Sequence, residues 1–203
     1  MDDRLLRGYR RFREESWPEY RRLFEHLADQ GQRPNTLIIA CVDSRVDPGM
    51  IFGAGPGELF IVRNVANLVP PYAPDQAYHG TSAALEFGVK ALEVQDIIVL
   101  GHGLCGGVKA LLNGAPPSLS DFLIPWISLA GAARDRVLRC DAVDQQLEGE
   151  HEVIRLSVAN LLTFPWIAER VKAGTLRLSG AHFDIRFGKL TMLQPDSAFA
   201  EVV

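Results

Sequence analysis

Apolar residues first recur along this chain at helical spacing. Leu5, Leu6, Tyr9, Phe12, Trp17, Tyr20, Leu23, Phe24 and Leu27 form one stripe among arginines and glutamates over residues 4–30, the period of an amphipathic helix. Pro18 suits a first helical turn better than an interior, so two helices are predicted, the second starting near Trp17-Pro18. Gly31 predicts the C-cap. The pattern then changes. Thr36-Leu37-Ile38-Ile39-Ala40-Cys41-Val42 is a continuous apolar run rich in β-branched residues, which predicts a strand buried on both faces. Glu58–Arg63, Asp96–Leu100 and Thr175–Gly180 predict three more strands. Ala181–Phe187 and Leu190–Leu193, around Gly188-Lys189, predict a terminal hairpin. Between these runs, helices are predicted over Gly80–Leu92, Asp121–Arg139 (weakened by Pro125 and Gly131), Gln145–Phe164 and Trp166–Lys172. Loops are predicted over Asn64–Gln76 and Asn113–Ser120.

Strands alternating with helices predict an α/β fold on a mainly parallel, four-stranded sheet. Repeats, low-complexity tracts and dividing linkers are absent from the sequence, so one domain over residues 1–203 is expected. Within it, 1–31 form a helical arm, 34–112 a core, and 113–203 the closing helices and strands. In such sheets reactive groups collect at the carboxyl ends of strands. Cys41 and His102 both fall at such ends.

Composition narrows the partners. At 203 residues and 47% hydrophobic the chain suffices for one sizeable core. A net charge of −4 gives no reason to expect nucleic acid or an anionic membrane. Apolar stretches all fall short of the roughly 20 residues of a membrane span. The charged start lacks a signal-peptide apolar region, so the three cysteines are expected to be metal ligands or free thiols in a reducing cytoplasm.

Gly101-His102-Gly103-Leu104-Cys105-Gly106-Gly107 follows one predicted strand and opens a helix-like run. An imidazole and a thiolate three residues apart in such a turn suit zinc. The same stretch also fits the dinucleotide pattern Gly-x-Gly-x-x-Gly. Against that reading, Asp121 stands at the required distance but after a proline-rich loop instead of a strand, and His102 and Cys105 are bulky beside a pyrophosphate. Cys41-Val42-Asp43-Ser44-Arg45 adds a second thiolate. On their own, Asp43 could be a helix N-cap and Cys41 a buried small residue. Together Cys41, His102 and Cys105 make a Cys2His set, whose three ligands leave the fourth zinc position open, as in catalytic sites.

Three blocks carry a wider resemblance. Cys41-Val42-Asp43-Ser44-Arg45-Val46, Arg63-Asn64-Val65-Ala66-Asn67 and Gly101–Gly107 resemble the signatures of the β-class carbonic anhydrases, and the similarity runs from about Gln32 to Phe183-Asp184-Ile185. The resemblance implies Zn2+ on Cys41, His102 and Cys105 with an Asp43–Arg45 pair beside it. It also implies an antiparallel edge strand and a homodimer, or dimer of dimers, wrapped by the N-terminal helices. The implied reaction is reversible hydration of carbon dioxide to bicarbonate by zinc-bound hydroxide. Asp43 would accept a hydrogen bond from that hydroxide and Arg45 would hold the carboxylate. By spacing, the substrate pocket of the plant-type subgroup corresponds to Gln32, Phe60, Val65, Phe87 and Gly106. Phe87 replaces that subgroup's tyrosine. Phe60, Val65 and Phe87 serve equally well as core packing. Ile38 stands where a bacterial subgroup with an inhibitory bicarbonate site has tryptophan, so no such site is expected.

Two other readings share the zinc. A relative acting on carbon disulfide or carbonyl sulfide would use the same ligands. A non-catalytic zinc module would leave Asp43 and Arg45 idle. His26, His79, His151 and His182 are expected to be surface or hydrogen-bonded core histidines, with His79 the one placed to relay protons, and Cys140 a spare thiol.

Overall fold

The computed structural model describes residues 2–75 and 77–202. Gln76, which ends the expected 64–76 loop, lies outside the described residues. The amino-terminal arm is helical from α1 (Asp3–Arg11) to α2 (Trp17–Gln30), and a wide i→i+5 turn over Phe12–Ser16 joins the two. Pro18 occupies the first turn of α2, where its missing N–H costs nothing. The second helix starts at Trp17 as expected, and the break before it is a distortion over Phe12–Ser16, two to six residues ahead of Pro18, and not an interruption. Gly31 caps α2 with φ +76°. Phe12, Trp17 and Phe24 pack ring on ring, yet neither α1 nor α2 buries a residue against the rest of the chain.

β1 (Thr36–Cys41) lies between β2 (Leu59–Asn64) and β3 (Asp96–His102). Among the described residues the sheet has six strands in the order β2-β1-β3-β4-β5-β6, with β4 (Arg177–Asp184), β5 (Lys189–Leu193) and β6 (Phe199–Glu201) completing it. The first four are parallel, and β5 and β6 run antiparallel at the edge. Two strand expectations are corrected. The fourth strand and the first hairpin arm are one strand, because residues 177–183 pair with β3 while 181–184 also pair with β5. The four-stranded sheet gains β6, a three-residue edge strand in a polar tail too short to show period-two patterning.

Burial explains the strand composition. Leu37 and Ile39 of β1 pack with Leu85, Ile97, Val99, Ile154 and Phe164 on one face, while Ile38 and Ala40 meet Val46, Leu100 and Ala181 on the other. The helices after β1 are α3 (Pro48–Phe52), capped by Asp47, α4 (Gly80–Glu86) and α5 (Gly106–Asn113). The predicted 80–92 helix loosens into a wide turn over Phe87–Ala91. The predicted 121–139 helix is two, α6 (Leu123–Ser128) and α7 (Gly131–Arg139), divided at Leu129-Ala130 beside Gly131. α8 (Gln145–Leu161) stops short of Phe164, and Pro165 opens α9 (Pro165–Lys172).

Chain direction positions the site. The connection after β1 leads to β2, whereas the one after β3 leads to β4 on the other side. The loops leaving the carboxyl ends of β1 and β3 therefore diverge, and a crevice opens between them. α8 lies close over β3 and β4 there. A Cβ at Gly101 would stand 2.6 Å from Ile154 Cδ1, and one at Gly180 2.7 Å from Ile154 Cγ2. Among the described residues, no helix is long and apolar enough to cross a membrane.

Candidate metal centre

Cys41 ends β1 and His102 ends β3, and the register sets Ala40 beside Leu100, so the two ligand candidates reach the crevice at nearly the same level. The chain then turns through Gly103 and Leu104, the latter at φ +58°, to bring Cys105 back to the N-cap of α5. All three side chains are buried, and their ligating atoms lie within 4.8 Å of one another. Cys41 Sγ and Cys105 Sγ are 3.9 Å apart, against about 3.8 Å for two thiolates at ~2.3 Å on one tetrahedral zinc. His102 Nδ1 donates to the Gly103 carbonyl at 2.9 Å, while Nε2 is buried with no hydrogen-bond partner among the described residues. A buried ring nitrogen left bare, with its other nitrogen fastened, is the arrangement of a metal-binding histidine.

The thiols respond to each other in the same sense. The hydrogen bond with Cys105 holds Cys41 well below the usual thiol range, while that bond and burial push Cys105 up. Two adjacent thiolates need a cation between them; without one, a proton must stay on one sulfur.

Asp43 leaves β1 beside this cluster. Its Oδ1 accepts from the Arg45 amide and Nε, both at 2.9 Å, and its Oδ2 accepts from Arg45 Nη2 at 2.8 Å. Arg45 Nη2 also donates to the Leu104 carbonyl at 3.0 Å, which ties the two ligand loops together. The fork from Arg45 holds the Asp43 carboxyl far below the ordinary carboxylate range. Asp43 Oδ2 stands 3.9 Å from His102 Nε2. The Cys41–Arg45 loop is gripped from below by Arg63, which donates to the carbonyls of Cys41, Asp43 and Val46 at 2.6–2.8 Å.

The family model described as "Carbonic anhydrase" matches residues 36–190, most of the chain and all of this cluster. The chain belongs to the carbonic anhydrases, in their β class. Beta carbonic anhydrase 3 of Arabidopsis thaliana is 36% identical over 96% of this chain and 77% of its own length. The solved structure of the β-carbonic anhydrase CcaA superposes with a TM-score of 0.92 at 35% identity, covering 98% of each chain. A tetrameric β-carbonic anhydrase of Sordaria macrospora superposes at 0.82, with 25% identity over 99% of this chain and 98% of that one.

The carbonic anhydrase fold does not bring every expected pocket residue to this centre. Val65 does approach it: it follows β2, and its Cγ1 would be 2.7 Å from a Cβ at Gly107, so only glycine lets α5 start there. Gly106 is exposed beside Cys105 with open space around its Cα. Phe60 is elsewhere. It pairs with Leu37, four residues down from the Cys41–Asn64 pair, or about 13 Å along the strand. Phe87 packs on Phe60 in a tilted pair with centroids 5.9 Å apart and is half exposed. Gln32 is exposed and precedes β1, at the amino end of the sheet.

Several residues at the centre escaped the sequence reading. Glu150 and Gln146 of α8 reach the Cys105 backbone, and His182 is a core histidine bonded to Glu150. His151 is only partly buried and stacks on Phe199 at 3.9 Å. One signal was available, since Gln146 and Glu150 are four apart on one helical face. It did not name their target. His79 bonds Asp75 at 2.6 Å on the surface, and Cys140 is exposed and free.

Proposed function

We propose that this carbonic anhydrase is a zinc enzyme that hydrates carbon dioxide reversibly to bicarbonate and a proton, with Asp43 and Arg45 in the working site. One observation carries the reading: a bare, buried His102 Nε2 converges with two thiols, while the Asp43 carboxylate beside it is held aside by Arg45. Three protein ligands without a fourth leave a position for chemistry. Cys41, His102 and Cys105 would hold zinc, which would supply a Lewis acid that makes water nucleophilic near neutral pH, moderated by two thiolates that offset its charge.

The chain's own groups direct that water. Asp43 stays ionised and so can only accept hydrogen bonds; it takes one from the attacking water and turns a lone pair towards carbon dioxide. Arg45 fixes the carboxylate plane and withholds it from the metal point. Val65 and the open face at Gly106 offer the gas an apolar approach. Gln32, Phe60 and Phe87 complete the pocket from a second copy of the chain, a reading supported by their distance from Cys41 within one protomer. The unburied faces of α1 and α2 support the same homodimer, or dimer of dimers, with the arm laid on its neighbour. The free thiols suit a reducing cytoplasm.

Stopped-flow carbon dioxide hydration across pH, run beside carbon disulfide and carbonyl sulfide hydrolysis, tests this function. Hydration that rises from neutral to alkaline pH is expected. A zinc-loaded enzyme that hydrates no carbon dioxide at any pH and hydrolyses carbon disulfide instead would overturn it.

A further inference from the structure

Behind the metal loop lies a buried polar group of residues that none of the chemistry above uses. Glu150 and His182 are each 3% exposed. Glu150 Oε1 accepts from the Cys105 N–H at 3.0 Å, and Oε2 accepts from His182 Nε2 at 2.9 Å. Gln146 Nε2 donates to Glu150 Oε1 at 2.7 Å and to the Cys105 carbonyl at 3.1 Å. Both polar atoms of the Cys105 backbone are thus held by side chains of α8, and β4 holds the carboxylate that does half of the holding.

We propose that Gln146, Glu150 and His182 are positioning residues that fix Cys105 for metal binding. A buried carboxylate is costly to keep, and α8 needs none for its own hydrogen bonds, so apolar residues would serve the fold as well. The loop it serves is strained. Leu104, directly before Cys105, has φ +58° without being glycine, a conformation that persists only where its surroundings enforce it. Arg45 restrains the loop at the Leu104 carbonyl on the open side, and Glu150 with Gln146 restrains Cys105 from behind. Released on that side, the Cys105 peptide can turn and carry Sγ away from its 3.9 Å separation from Cys41 Sγ. Gly101 and Gly180 belong to the same device, since their missing side chains let Ile154, one turn beyond Glu150, seat α8 against β3 and β4. Cys105 is here a ligand, so the inference rests on the zinc reading.

The test compares zinc release to a chromophoric chelator in the intact enzyme and in its variants. Partners of metal ligands usually contribute about 10–100-fold in affinity. Glu150→Ala is expected to lose zinc at least tenfold faster and to shift the cobalt(II) absorption bands. Glu150→Gln keeps an acceptor for the Cys105 N–H and is expected to restore both to within about threefold. Ser157→Ala removes a different α8 contact, with the Val69 N–H, and should leave release unchanged. A folded Glu150→Ala with wild-type release and cobalt spectrum would overturn the proposal. So would a Ser157→Ala that loses zinc equally fast. If Glu150→Ala does not fold, Gln146→Leu decides: several-fold faster release supports the proposal, and unchanged release refutes it. Wild-type enzyme that takes up no zinc refutes the zinc reading itself, a separate result from zinc-replete variants that all behave alike.

Discussion

Replacing Arg45 with alanine removes the fork on Asp43 and the tie to the Leu104 carbonyl. The consequence can be worked from one distance. Asp43 Oδ2 is 3.9 Å from His102 Nε2, and two first-row ligands ~2.0 Å from a tetrahedral zinc stand about 3.3 Å apart. With zinc held by Cys41, His102 and Cys105 as proposed, a carboxylate shift of about 0.6 Å would bring Asp43 Oδ2 to ligand-to-ligand distance from His102 Nε2. Freed from Arg45, Asp43 loses its orientation towards substrate and gains a route to the metal. A displacement near 1 Å from productive geometry costs about 10²-fold in rate, so kcat/KM for hydration is expected to fall about 10²-fold. Zinc content should stay at the wild-type level, with release to chelator no faster. Stopped-flow hydration on zinc-assayed protein measures both. Arg45→Lys keeps the charge without the planar fork and should recover only part of the loss. Activity within about threefold of wild type would refute the role given to the pair. Zinc lost in proportion to activity would reduce Arg45 to a fastener of the loop.

Other consequences follow from packing and charge. Gly101→Ala puts a Cβ 2.6 Å from Ile154 Cδ1; overpacking there should cost about 1–3 kcal/mol in urea unfolding, and Ile154→Ala should relieve part of it in the double variant. Burial, with His182 and Arg155 adding to it, lowers His151 to about 3. The unfolded chain then binds more protons below the ordinary value of 6.5, so stability is present above pH 6.5 and lost as pH falls towards 3. At pH 5 the loss should be about 1 kcal/mol after halving for partial exposure, or about 3 °C in Tm. His151→Phe, which keeps the stacking on Phe199, should flatten that slope. Deleting residues 2–30 should leave a protomer that elutes as a smaller species and hydrates slowly; an unchanged elution volume would contradict the arm's place between copies.

What the sequence made legible is what local pattern encodes. β1 is buried on both faces, so its apolar run stood out, and Cys41 marked its end within one residue. His102 and Cys105 were readable because a soft-ligand pair in a glycine turn has few uses besides a metal. Residues 179–180 of β4 hid the strand's continuity, since Gly180 is demanded by Ile154 and not by strand propensity. Glu150 and Gln146 act on Cys105 from more than 40 residues away, a pairing that only the height of α8 above β3 and β4 brings about. Arg63 was visible inside a signature block, but its grip on three carbonyls depends on β2 lying beside β1. Gln32, Phe60 and Phe87 came from resemblance alone, and one protomer leaves them apart from the cluster that resemblance joins them to.

The most direct test is a zinc titration of the metal-free enzyme with carbon dioxide hydration as readout. Activity is expected to rise linearly with added zinc and to stop at one equivalent per chain. Cys41→Ser and Cys105→Ser are each expected to abolish the stoichiometric uptake. Hydration that is complete without zinc, or a full equivalent bound with no hydration at any pH, would contradict the proposed function.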